Sequence, residues 1–150
     1  MYPDDFAGVF INSDGRAVFR IVEGHYSDSA GLRTKSLIPN DAIIMPAEFS
    51  LNSLEATADT FFNFIYGNRA DPTRNILSEV VIGGGACILT NIVFVEITRN
   101  DDEIMQYLDK VILSLGLDMR QFRFDYTHGM VNQRGGGCVD LPHAEYKNIL

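Results

Sequence analysis

Basic residues are scarce in this chain. Twelve lysines and arginines stand against twenty acids, giving a net charge of −8 and a pI near 4.7. An acidic surface repels phosphate backbones and anionic bilayers, so no nucleic-acid partner and no membrane partner is expected, whereas a basic protein surface is attracted. Long apolar runs are also missing. The longest uncharged stretch, Val80 to Val95, is broken by Gly83-Gly84-Gly85 and by Thr90-Asn91, and it falls short of the ~20 residues a membrane span needs. The opening Met1-Tyr2-Pro3-Asp4-Asp5 has neither the basic nor the apolar part of a secretory leader, which leaves a cytoplasmic chain or one whose leader has been removed.

Motifs that carry chemistry are equally thin. Cysteine is limited to Cys87 and Cys138, whose spacing is no metal motif, so no metal is expected. The pair fits one disulfide in an exported protein or two buried thiols in a cytosolic one, and the sequence leaves this open. No Gly-x-Ser-x-Gly elbow occurs, and Ser50 has a role as a helix cap instead. Gly83-Gly84-Gly85 and Gly135-Gly136-Gly137 are not followed by Lys-Ser/Thr and open no periodic helix. They read as a β-bulge and a flexible linker rather than phosphate cradles, and no cofactor is expected. A Cys–His pair between Cys87 or Cys138 and His25, His128 or His143 has no support in the order of the residues. No catalytic residue is assigned.

What is present is a globular composition, 46% apolar and 21% charged over 150 residues, long enough for one domain with a substantial core. Phe6 to Ile11 and Ala17 to Val22 are apolar, β-prone runs joined by Asn12-Ser13-Asp14-Gly15, and they predict a hairpin. Residues 23–40 read as an irregular loop. Ala42 to Met45 predicts a short strand ended by Pro46. Behind the Ser50 cap, Leu51, Leu54, Ala58, Phe61, Phe62 and Ile65 recur at helical spacing, with Gly67 as the stop. This places Phe64 and Tyr66 off the buried stripe. Residues 68–75 read as a loop.

Glu79 to Ile82 and Asn91 to Ile97 predict a second hairpin whose first arm is bulged at the glycines. Asn100 and Glu103 read as the cap and capping-box partner of a helix that buries Ile104, Leu108, Val111, Ile112 and Leu115. Gly116 is its left-handed stop, with Leu117 packing back. From Arg120 to Tyr126 the residues alternate. Phe122, Phe124 and Tyr126 face inward and Gln121, Arg123 and Asp125 face solvent, as in a half-buried antiparallel strand.

The expected fold class is therefore α+β, with helices packed on antiparallel sheet. It has two similar hairpin-plus-helix units, about 2–67 and 76–126, within a domain spanning 1–126. Residues 127–150 read as a tail or linker.

The segment Tyr2-Pro3-Asp4-Asp5-Phe6-Ala7-Gly8-Val9-Phe10-Ile11-Asn12-Ser13-Asp14-Gly15 resembles the opening of pro-regions of secreted trypsin-like serine proteases, of the α-lytic-protease and streptogrisin type, and of related exported proteins of Gram-positive bacteria. Phe49-Ser50-Leu51-Asn52-Ser53-Leu54 is similar to their helix start, and Val80 to Gly116 follows the order and length of their second unit. The likeness is one of layout over about residues 2–126, with detail confined to the first fourteen. It implies a non-enzymatic domain, secreted or at the cell surface, that assists and inhibits a partner protease. The expected partner-binding residues are Arg123, Phe124, Asp125 and Tyr126 on the last strand, offered for β-augmentation. Two other functions stay open: a small enzyme with a Cys–His or carboxylate site, and an acidic inhibitor or immunity-type protein.

Overall fold

Strand β1 (Phe6–Ile11) and strand β2 (Ala17–Val22) form the expected antiparallel hairpin in the computed structural model, which describes residues 2–23, 37–67, 72–127 and 138. The turn is built by its own side chain. Asn12 Oδ1 accepts from the backbone N–H of Asp14 at 3.1 Å and of Arg16 at 2.9 Å, and Gly15 takes φ +77°. Strand β3 (Ile43–Ala47) lies on the other side of β2 and runs parallel to it. A parallel neighbour demands a long crossover, and residues 23–42 supply it. Pro46 sits inside β3, opposite Ile21, instead of ending it. An outer strand tolerates proline because its missing N–H interrupts no ladder on the open side.

The second sheet repeats this plan. Strands β4 (Val81–Cys87) and β5 (Ile92–Ile97) pair antiparallel, and strand β6 (Phe122–Tyr126) joins β5 in parallel. The expectation of an antiparallel last strand is thus corrected. Alternation of side chains has the same period in both pairings, so it reports a half-buried strand but not its direction. The bulge is confirmed, between Val81 and Gly83, and a matching one lies between Phe6 and Gly8 in β1.

Three helices among the described residues connect and cover these sheets. Helix α1 (Leu51–Gly67) starts where expected, with Ser50 Oγ accepting from Ser53 N–H at 3.1 Å. Helix α2 (Pro72–Val80) replaces part of the expected loop. Pro72 is compatible with a first helical position, where its absent N–H would be unsatisfied anyway. Helix α3 (Asp102–Ser114) is capped by Asp101 and not by Asn100: its carboxylate accepts from Ile104 N–H at 3.3 Å. The stop is as expected. Gly116 has φ +68°, its N–H bonds Leu113 O, and Leu117 N–H bonds Ile112 O, both at 3.1 Å, the pattern of a Schellman motif.

The repeated unit is therefore hairpin, crossover and parallel strand. Helix α3 lies within the crossover of the second unit, whereas α1 follows the third strand of the first and bridges the units, so the two helices are not counterparts. The main core joins α1 (Leu54, Phe61, Ile65), α3 (Ile104, Leu108, Ile112) and the inner face of the second sheet (Val93, Val95, Ile97). Of the residues read as a loop or tail, 24–36, 68–71, 128–137 and 139–150 lie outside the described residues.

Candidate partner-binding site

Among the described residues strand β6 is an outer strand, hydrogen-bonded to β5 on one side. Its start is fixed by a buried polar relay that the sequence did not disclose. Gln121, in the 3-10 turn Met119–Gln121, is only 5% exposed. Its Oε1 accepts from Thr57 Oγ1 at 2.5 Å, and its Nε2 donates to Ser53 Oγ at 2.8 Å. Asp118 caps that turn by accepting from Arg120 N–H at 2.9 Å. The guanidinium of Arg120 also donates to Asp118 and holds its carboxyl below the ordinary carboxylate value. Gln121, which reads as a surface position in the alternation, thus anchors the start of β6 to α1.

The four expected site residues share this strand but not one environment. Phe124 stacks beside Phe122 with ring centres 6.2 Å apart and packs against the core, as expected. Tyr126 was expected to face inward, yet it is 42% exposed at the end of the strand. Arg123 and Asp125 were expected in open solvent. They are half-buried and bonded to each other, with Arg123 Nε to Asp125 Oδ1 at 2.8 Å and Nη2 to Oδ2 at 2.9 Å. Residues two apart on a strand share a face, so the planar fork of arginine can close on a carboxylate of its own strand. Glu96 of β5 is the register partner of Asp125.

The sulfur question left open by the sequence is answered by a disulfide between Cys87 at the end of β4 and Cys138, with Cα atoms 5.3 Å apart. A point within the expected tail is therefore tied to the second sheet. No free cysteine and no cluster of metal-ligating side chains occurs among the described residues, and His25, His128 and His143 lie outside them. The aromatic residues of α1 are accounted for structurally. Phe64 lies 3.7 Å beneath the guanidinium of Arg74, and Tyr66 donates its hydroxyl to Val81 O at 2.8 Å.

A second feature, at the junction of the two sheets, was invisible to pattern reading. Arg20 of β2 is 6% exposed and reaches into the β4–β5 turn. Its Nη1 donates to Ile88 O at 3.1 Å and Leu89 O at 2.9 Å, and its Nη2 to Pro46 O at 3.1 Å. Burial lowers its pKa from the ordinary arginine value. From the other side Asn91, held at φ +57°, accepts from Glu48 and Phe49 N–H at 2.9 Å each and donates to Phe49 O at 2.8 Å. The only hint in the sequence was Thr90-Asn91 interrupting an apolar run, since asparagine tolerates left-handed backbone better than most residues. No protein-family model matches the chain, and no curated protein matches it.

Proposed function

We propose that the chain is a non-enzymatic, pro-region-like domain that binds an exported partner, a trypsin-like serine protease, through the outer edge of β6. The observation that carries this reading is the position of β6: an outer strand among the described residues, whose last residue, Tyr126, is 42% exposed. An outer strand offers backbone N–H and C=O groups to an added strand, and an amphipathic aromatic at its end adds contact area at low entropic cost. The Arg123–Asp125 fork keeps two charges neutralised beside that edge, so the partner meets a paired surface instead of a lone ion. The acidic balance of the chain favours a basic partner. The Cys87–Cys138 bond suits an oxidising compartment, in line with a secreted or cell-surface protein.

The test mixes the full chain with candidate secreted trypsin-like proteases and follows inhibition and refolding yield. Stoichiometric inhibition is expected, with no hydrolysis by the chain itself. Exchanging the pair, Arg123→Asp with Asp125→Arg, retains the ion pair and the fold while reversing the charge order along the edge. Binding should weaken about tenfold and change its salt dependence. A panel of proteases whose activity and refolding do not respond to excess chain overturns the proposal.

A further inference from the structure

The two faces of the first sheet differ in kind. Arg20 points from β2 into the second unit, so its neighbour Phe19 lies on the opposite face. In register with Phe19 stand Val9 of β1 and Ile44 of β3, and Ile11 lies two residues beyond Val9. Arg20 is the only charged or polar residue in the three strands, so no strand residue on the Phe19 face is polar. Yet Val9 is 40%, Ile44 41% and Ile11 65% exposed. A sheet face open to water ordinarily carries polar residues, and a contiguous apolar one marks an interface.

The second unit shows what covers such a face. Val9, Phe19 and Ile44 correspond in register to Gly84, Val95 and Phe124. Val95 is fully buried and Phe124 packs on the same core, to which α3, lying in that unit's crossover, brings Ile104, Leu108 and Ile112. The crossover of the first unit is poorer in such residues: in sequence, 24–36 hold only Tyr26 and Leu32 as large apolar side chains. Two are too few to close a three-stranded face, which points to cover from a second molecule.

The shape and charge of the face select that molecule. Its one cavity among the described residues, about 230 Å³ lined by Pro3, Phe6, Phe19 and Leu37, is smaller than the roughly 300 Å³ at which small-molecule pockets begin, and it suits a single apolar side chain. An uncharged face meets its own image without stranding an ion. The exposed apolar side chains offer on the order of 500 Å² per copy, so a pair buries on the order of 1,000 Å², the least that a specific interface needs.

We propose that this face is a two-fold interface between copies of the chain, packed sheet on sheet, with Ile11 of each copy seated in the cavity of the other. A two-fold axis across the strands lays the end of one β1 over the start of the other, which brings Ile11 to Phe6. The proposal is independent of the β6 reading, because β6 belongs to the other sheet.

Sedimentation of the full chain from about 1 µM to about 1 mM should show a dimer with Kd on the order of 10–100 µM, as suits an interface of this size. Each copy carries a net charge of −8 while the face carries none. The dimer should therefore tighten at least about threefold as salt rises from about 20 to about 500 mM. Ile11→Lys reduces the net repulsion yet should weaken the dimer at least about tenfold by burying an ammonium, with the melting temperature of the monomer unchanged. Leu37→Lys, at a residue 71% exposed, should do the same, and it decides should the first variant not fold. A dimer that salt loosens, or that both variants leave intact, overturns the proposal. So does a chain that stays monomeric at about 1 mM, and a soluble paramagnetic probe then shows which alternative replaces it. Broadened Ile11 and Ile44 methyl resonances leave the face to a foreign protein, and shielded ones assign its cover to residues 24–36.

Discussion

Arg20 and Glu96 hold the same place in two sheets of one design. Each lies on the central strand opposite the glycine just past the bulge, Gly8 for Arg20 and Gly83 for Glu96, and each is in register with the third strand, at Met45 and Asp125. In the first sheet that position is filled by a buried cation reaching across to the other unit. In the second it is half-exposed beside the Arg123–Asp125 fork. The cores differ in the same sense. The main cluster draws on β4, β5 and all three helices but on no strand of the first sheet. One unit is held chiefly by apolar packing, and the other is joined to it by polar side chains capping main-chain groups. A shared topology does not impose a shared source of stability.

The comparison breaks most sharply just past the bulge of the second sheet. Gly84 has φ +150°, and a Cβ there would strike the carbonyl of Phe94 and lie 2.6 Å from Phe62 Cζ. Gly85, one residue on, has open space at its Cβ position. Gly84→Val should cost more than about 4 kcal/mol, since strained backbone and overpacking act together, or should prevent folding outright. Gly85→Ala should shift the denaturation midpoint little. Equal effects from the two would show that the glycine run beside the bulge holds no single special residue.

The disulfide ties a point of the expected tail to the second unit and closes a separation of 51 residues. Replacing Cys87 and Cys138 together by alanine should lower stability by about 3–4 kcal/mol in the chain-entropy description. Intact mass with and without reduction establishes the bond, and chemical denaturation measures its loss. A double variant as stable as the parent means that the tie adds nothing to an already packed sheet.

Asn91→Ala sharpens the contrast from the other side. It removes three hydrogen bonds to residues 48 and 49 and leaves a left-handed backbone at φ +57° that alanine resists. A loss of roughly 2 kcal/mol is expected. Hydrogen exchange should quicken around β3 and the start of α1, while β5 stays protected by the core. Uniform loss of protection through both sheets would make the junction part of the main core.

Much of this architecture was legible because it rests on local rules. The Asn12–Gly15 turn, the Ser50 cap, the stripes of α1 and α3, the Gly116 stop and the glycine bulge are each written within a few residues. The errors lie where local rules are silent. The parallel pairing of β3 and β6 depends on where a crossover returns the chain; the lengths of residues 23–42 and 98–121 were the available signal, since a hairpin needs far fewer. Asn100 and Asp101 are adjacent capping residues, and Asp101 takes the role while also bonding Arg99. The environments of Arg20, Asn91 and Gln121 depend on partners tens of residues away. Tyr126 continues the inward alternation in sequence, but the strand ends there and the residue is 42% exposed.

The smallest effect concerns charge, and it resides in the second unit. Arg99 donates to Asp101, and Arg120 to Asp118, and each hydrogen bond holds its carboxyl below the ordinary value of 3.8. A carboxyl whose pKa is lowered by folding binds its proton less tightly in the native chain than in the unfolded one. The stabilisation is therefore complete above the unfolded value and is lost as pH falls from near 4 through the lowered native value. Both pairs are solvent-exposed, so the effect is small and further reduced by salt. Asp101→Asn with Asp118→Asn removes the charges while asparagine still serves as a cap at either helix start. The parent should be more stable than this variant at about pH 7, and the two should converge at about pH 3, where the parent's carboxyls take up protons. A constant gap at both pH values would assign the difference to capping geometry, leaving the Arg99 and Arg120 pairs without a part in acid stability.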